Sequence, residues 1–180
     1  MKNDLPAEIA DTKEALLSAL NKFDNQNINT IPFEGSWTGG QVAEHVLKSA
    51  SGVLAALEGD TRPADRDPEQ NVAQLRELFL NFGIKFQSPD FIVPSDDPKD
   101  KDFLIKALKK TFEGIEKNTA SDDLTRICTT FEMPALGYLS RSEFINFTYA
   151  HTQRHIHQLN NILDHLKGAQ HDNAQSIHQL

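Results

Sequence analysis

Phe144-Ile145-Asn146-Phe147-Thr148-Tyr149-Ala150-His151-Thr152-Gln153-Arg154-His155-Ile156-His157-Gln158-Leu159 is the stretch whose reading decides the fold. Its apolar residues recur at helical spacing, and one face of that helix reads Phe144, Phe147, His151, His155, Gln158, Ile162, Leu166. Ser140 followed three residues later by Glu143 has the form of a capping box and opens the helix. The pattern runs to about Lys167, and Gly168 closes it. A helix with so long an inward face must pack against others. Two imidazoles and an amide nevertheless stand where aliphatics belong, and a buried polar group costs free energy unless it is satisfied.

Upstream, Pro6 suits a first helical turn, and Ile9, Leu16, Leu17, Leu20 and Phe23 continue a helix to about Asn25. After Gly35-Ser36-Trp37, Thr38 and Gln41 form a second capping box. The helix it opens runs to about Glu58, with Val42, His45, Val46, Ser49, Val53 and Leu57 along one stripe, and Gly59-Asp60 ends it. Trp37, beside the box, reads as a plug at the end of the fold. A third long helix fits Asp102 to Lys117, with Phe103, Leu104, Ala107, Leu108 and Ile115 inward. Four long amphipathic helices predict an all-α, up-and-down four-helix bundle. Residues 1–168 form its single domain, and the polar residues 169–180 read as a mobile tail.

Between the second and third long helices lies a long insert. Asp67-Pro68-Glu69 starts a short helix carrying Val72, Leu75, Leu78 and Phe79. Phe86-Gln87-Ser88-Pro89-Asp90-Phe91-Ile92-Val93-Pro94 then reads as an extended segment laid over the helices. It either walls a pocket or covers one end of the core. Residues 122–139 read as a turn-rich connection, with Thr129 to Met133 a short extended piece.

Residues four apart on a helix point within about 40° of each other and lie roughly 6 Å apart, so His151 and His155 can reach one ion. His45 occupies the corresponding inward position of another helix, with the small Ser49 one turn on leaving room for something bound. Three neutral imidazoles sharing a cation solve one another's burial problem, and three protein ligands leave a coordination position open, as in catalytic zinc sites. Zinc, nickel, iron and manganese all suit this donor set. Gln41, one turn before His45, and Gln158, nearly one turn after His155, are placed to hydrogen-bond a ligand ring. For Gln158 a helix–helix hydrogen bond is the equal alternative. His157 points about 200° away from His155, His165 lies about 15 Å further along the helix, and His171 and His178 fall in the tail. None of these joins the set.

The whole chain bounds the function from outside. Its 180 residues carry 18 Lys and Arg against 26 Asp and Glu, a net charge of −8, which repels nucleic acid and anionic membrane. No apolar run approaches the ~18 residues of a membrane span, and Met1-Lys2-Asn3-Asp4 leads into a helix without a signal-peptide core. Cys128 is the single cysteine, which excludes an intrachain disulfide. The expectation is a cytoplasmic protein.

Ser36-Trp37-Thr38 through Gln41-Val42-Ala43-Glu44-His45, and Tyr149 through the His151-x-x-x-His155 pair to Gln158-Leu159, resemble the helix signatures of the DinB/YfiT-like superfamily. The resemblance spans most of residues 5–167. It implies a four-helix bundle, often a homodimer, holding one divalent metal ion on His45, His151 and His155, the three that periodicity selects. Relatives include transferases using low-molecular-weight thiols such as bacillithiol or mycothiol, and a maleylpyruvate isomerase. Many relatives carry Asp or another residue where Thr152 stands.

The leading expectation is therefore a metal-dependent, thiol-dependent S-transferase acting on a small-molecule substrate. A metal-dependent hydrolase on the same site and a non-catalytic metal- or ligand-binding bundle are the alternatives. No general base stands out: Glu44 points about 100° from His45, and Cys128 reads as a small buried side chain. Ferritin-like Glu-x-x-His and zincin His-Glu-x-x-His spacings are both absent.

Overall fold

A computed structural model describes residues 4–120 and 123–177, with side chains described up to residue 169. Helix α1, Leu5–Asn21, starts where the Asp4 carboxylate accepts from Ala7 N at 3.3 Å, with Pro6 in the first turn. It stops earlier than its apolar pattern suggests. Asp24 Oδ1 accepts from the amides of Gln26 and Asn27, turning the chain into a short 3₁₀ segment, Asn27–Asn29.

Helix α2, Gly39–Glu58, opens on the complete capping box: Gln41 N donates to Thr38 Oγ1 at 3.1 Å and Thr38 N to Gln41 Oε1 at 3.0 Å. Gly39 is required by packing, since a Cβ there would meet the Phe23 ring at 2.7 Å. Helix α3 is Val72–Leu80, within the insert, and α4 is Lys101–Thr119, capped by Asp100. Helix α5 is Arg141–Ile177. Its backbone continues through Gly168, beyond the stop expected at Lys167. The side chains from 170 on, that of His171 among them, and residues 178–180, with His178, lie outside the described part, while the backbone of 169–177, expected as a tail, continues the helix.

The long helices α1, α2, α4 and α5 surround one core. α1 and α2 each pack against α4 and α5, and α3 lies along α5. Leu16, Leu20, Val46, Leu57, Leu108, Phe112, Ile115, Phe144 and Ile162 are all buried there. The protein is mostly helical but not all-α, and here the sequence expectation needs correction. Strands β1 (Thr61–Arg62), β2 (Ile127–Met133) and β3 (Gly137–Ser140) form an antiparallel sheet in the order β1-β2-β3. Thr61 pairs with Cys128 and Glu132 with Tyr138. The β2–β3 turn places Ala135 at φ 66° and Gly137 at φ 73°. The predicted extended piece at 129–133 is the outer part of β2. What the sequence hid is the pairing of its inner end, Ile127 and Cys128, with the distant β1.

Among the described residues, no helix is long and apolar enough to cross a membrane.

Candidate metal centre and its cavity

His45 comes from the middle of α2, and His151 and His155 come from successive turns of α5, the helix packed against it. All three are buried. His45 Nε2 lies 3.1 Å from His151 Nε2, which lies 3.2 Å from His155 Nε2. The candidate ligand atoms of the three all fall within 4.8 Å of one another.

The far nitrogens fix the protonation. His45 Nδ1 is 2.9 Å from the Ile92 carbonyl oxygen, which can only accept, so Nδ1 carries the proton and Nε2 presents a bare lone pair. Gln158 Oε1, 2.8 Å from His155 Nδ1, imposes the same tautomer there. His151 Nε2 then faces two lone pairs with at most one proton of its own. At least one close nitrogen–nitrogen contact is therefore left without a hydrogen between its partners. A cation at the common point of the three satisfies every lone pair at once. Ligands about 2.0–2.1 Å from a zinc-sized ion, at angles between octahedral and tetrahedral, stand about 2.9–3.4 Å apart, and both measured spacings lie in that range. The residues present fit a divalent metal.

Electrostatics point the same way. Burial pushes the His45 imidazole below its ordinary range, partly opposed by the Ile92 carbonyl and reinforced by Lys48. Burial, then His155 and His45, hold His151 well below its usual value. Burial, then His45, push His155 down to about 3. Neutral imidazole is the form that ligates metal.

Gln41 does not reach His45. Its Oε1 is used by the capping box, and its Nε2 turns to the Ser95 carbonyl at 3.3 Å. Trp37, read as an end plug, instead sits with its ring 5.1 Å from the His45 ring and lines the cavity above it. Cys128 is buried in β2, with its thiol pushed up to about 11 by burial, far from thiolate character at neutral pH. His157 stacks on Phe82 at 4.5 Å, and His165 Nδ1 bonds the Asn161 carbonyl.

A cavity of about 1050 Å³ opens on the three imidazoles. Phe86 to Val93 forms one wall, including the 3₁₀ turn Asp90–Ile92, so the extended segment does line a pocket. α2 holds this strap along a single face. Glu44 Oε2 accepts from Ser95 N at 3.0 Å, and Glu44 also pairs with Lys99 and Lys48. Lys48 Nζ donates to the Val93 carbonyl at 2.7 Å. Burial works to raise the Glu44 pKa, but the hydrogen bonds from Lys99, Lys48 and Ser95 outweigh it and hold the carboxylate below its usual value. Gln41, Glu44, His45 and Lys48 recur at helical spacing, a pattern present in the sequence and passed over.

On the other side, Arg154 sits between the two α5 histidines. Its guanidinium donates to the carbonyls of Phe79, Asn81 and Ile84, closing the end of α3 and tying the strap to α5. Arg154 was also missed, because its partners are backbone oxygens.

A sequence profile of the DinB superfamily matches residues 8–159. The chain belongs to the DinB superfamily. Among curated proteins and solved structures, none matches it significantly. The matched span holds all three histidines of this DinB-superfamily protein, the sheet and the strap, and it ends one residue past Gln158.

Proposed function

We propose that this DinB-superfamily protein is an up-and-down four-helix bundle that binds one divalent metal ion on His45, His151 and His155 and acts as a thiol-dependent S-transferase. The observation that carries the metal site is the convergence of three buried Nε2 atoms, with two of the opposite Nδ1 protons held by carbonyl oxygens. The thiol and the homodimeric state rest on the family resemblance. When bound, a divalent ion supplies Lewis acidity that brings a thiol or water pKa toward neutrality.

The chain's own groups do the rest. The Ile92 carbonyl and Gln158 orient two rings and keep their protons on the outer nitrogens, so the inner lone pairs stay available. Trp37 and Phe147 pack against His45 and His151 and exclude water from that side. The strap and α5 leave one face open for substrate. The same open face suits water, so a hydrolase is the second reading, separated from the first by whether activity needs an added thiol.

The test is to purify the protein without a histidine tag, quantify bound metals by elemental mass spectrometry, and repeat with His151→Ala and His155→Ala. About one equivalent of zinc, nickel, iron or manganese, lost in both variants, is the expected result. A wild-type protein that stays metal-free after loading with each of them overturns the site.

A further inference from the structure

Aromatic rings recur around the cavity above the histidines. Phe86 stacks on Phe79 at 5.3 Å, Phe79 meets Phe147 edge-on at 5.1 Å, and Phe147 stacks on the His151 ring at 5.0 Å. An unbroken run of rings thus leads from the strap to a candidate metal ligand. A second run on the same lining has Phe91 meeting Phe131 at 5.8 Å and Phe131 meeting Phe144 at 6.4 Å. Each run is rooted in the core and rises to a ring on the strap.

Those upper rings stand in solvent: Phe86 is 43% exposed and Phe91 59%. Two aromatic side chains left wet on one held segment forgo burial that would stabilise the fold, and such a concave apolar patch marks a binding site. The strap is no loose end that happens to expose them. Four α2 side chains fix its backbone from Ile92 to Ser95, next to Phe91, and Arg154 holds the Ile84 carbonyl two residues before Phe86.

The charges nearby are already committed. Lys48 is bonded to the Val93 carbonyl and Glu44, and Arg154 to three carbonyls, with its guanidinium 4.6 Å over the Phe86 ring. Lys85 and Asp90 stand exposed at the rim with opposite signs. Apart from Lys85 at the rim, every lysine and arginine of the lining is already bonded. Ser49 and Gln158 line the cavity beside the three imidazoles, and Ser36, Gln87, Ser88, His157 and Asn161 also belong to the lining.

We propose that the cavity takes a neutral, apolar, ring-bearing small molecule, held against the Phe79–Phe86–Phe147 and Phe91–Phe131–Phe144 ring runs with its reacting atom toward the imidazoles. As a substrate class this rests on the transferase reading above: the electrophile is aromatic. With a haloarene, the sulfur of a low-molecular-weight thiol attacks the ring carbon that bears the halogen. The carbon–sulfur bond forms, the carbon–halogen bond breaks, halide leaves with the electron pair, and the thiol proton passes to solvent.

Trp37, the only tryptophan, stands beside His45 and reports occupancy directly. The experiment titrates the full chain, metal-free and metal-loaded, with 1,3-dinitrobenzene, a neutral aromatic quencher without a leaving group. Phe86→Ala and Phe91→Ala, one from each ring run and both at exposed positions, are titrated alongside, with circular dichroism to check folding. Saturable quenching is expected, weakened about five- to tenfold in each variant. Non-saturable quenching, or saturation unchanged in both variants, overturns the proposal whether or not metal binds. Tighter binding of the anionic 2,4-dinitrobenzenesulfonate, lost in Lys85→Ala, overturns the neutral class. The second arm adds 1-chloro-2,4-dinitrobenzene and a thiol. Thiol-dependent chloride release by the metal-loaded protein alone supports both readings. Saturable quenching without release upholds the aromatic cavity and counts against the transferase reading only.

Discussion

Two connections cross the surface of the helices, and a glutamate anchors each, but the anchors differ in kind. The arm around Arg66 to Asn71 is held by Glu143, whose side chain is fully buried. Its Oε1 accepts from Arg66 and the Asn71 amide, and its Oε2 from Arg66 and the Ser140 amide, so all four bonds are 2.6–3.0 Å. The same carboxylate completes the capping box of α5. The strap over the cavity is held by Glu44, which is partly exposed and pairs with Lys48 on a partly exposed stem. The arm near the sheet is locked into the scaffold. The strap is held firmly enough to place its rings, yet its carboxylate anchor keeps some contact with water. The ligand cavity proposed above gives a reason for the two covers to differ.

The sharpest way to break that comparison is Glu143→Ala. Removing one partner of a buried pair leaves the other uncompensated and costs about 3–5 kcal/mol; Arg66 keeps some access to water, which favours the lower figure. A large fall in thermal or urea midpoint is expected. A loss below about 1 kcal/mol would place the two anchors in one class.

Next in size is acid. The three imidazoles have native pKa values below the ordinary histidine value, His155 at about 3. Below about 6.5 the unfolded chain takes up protons that the native state refuses. The metal-free protein should therefore lose stability progressively as pH falls from about 6.5 toward 3, and His155→Leu should flatten that slope. Urea midpoints measured with chelator present at pH 7, 6, 5 and 4 check it. An identical slope in wild type and variant would show that His155 does not carry the acid sensitivity.

Much of this was readable in the chain, for local reasons. Caps and helical stripes are contained in a few residues, so Thr38–Gln41, Ser140–Glu143 and the inward positions of His45, His151 and His155 could all be found before any coordinates. What failed was non-local or made of backbone. Thr61 pairs with Cys128 through main-chain bonds that leave little trace in residue identity, so the sheet was missed. The partner of His45 Nδ1 is a carbonyl oxygen, a group every residue carries, so nothing marks Ile92. Gln41 failed for a different reason. Its acceptor was already claimed by the capping box that the sequence itself displayed, and one amide cannot serve both ends.

The smallest expected effect on stability is also the most informative about the strap. Glu44 and Lys48 lie on either side of His45 and hold the backbone that receives its Nδ1 proton. Glu44→Gln and Lys48→Met each remove a partly exposed charge, so the urea midpoint should move by less than about 1 kcal/mol. The amide of Ser95 should nonetheless exchange faster in Glu44→Gln, since its acceptor is weakened. If the Ile92 carbonyl orients His45, loosening the strap should also weaken metal binding about tenfold, read by competition with a chromophoric chelator. Faster Ser95 exchange with unchanged metal affinity would separate the cover from the centre, leaving the strap as a wall for the ligand and no more.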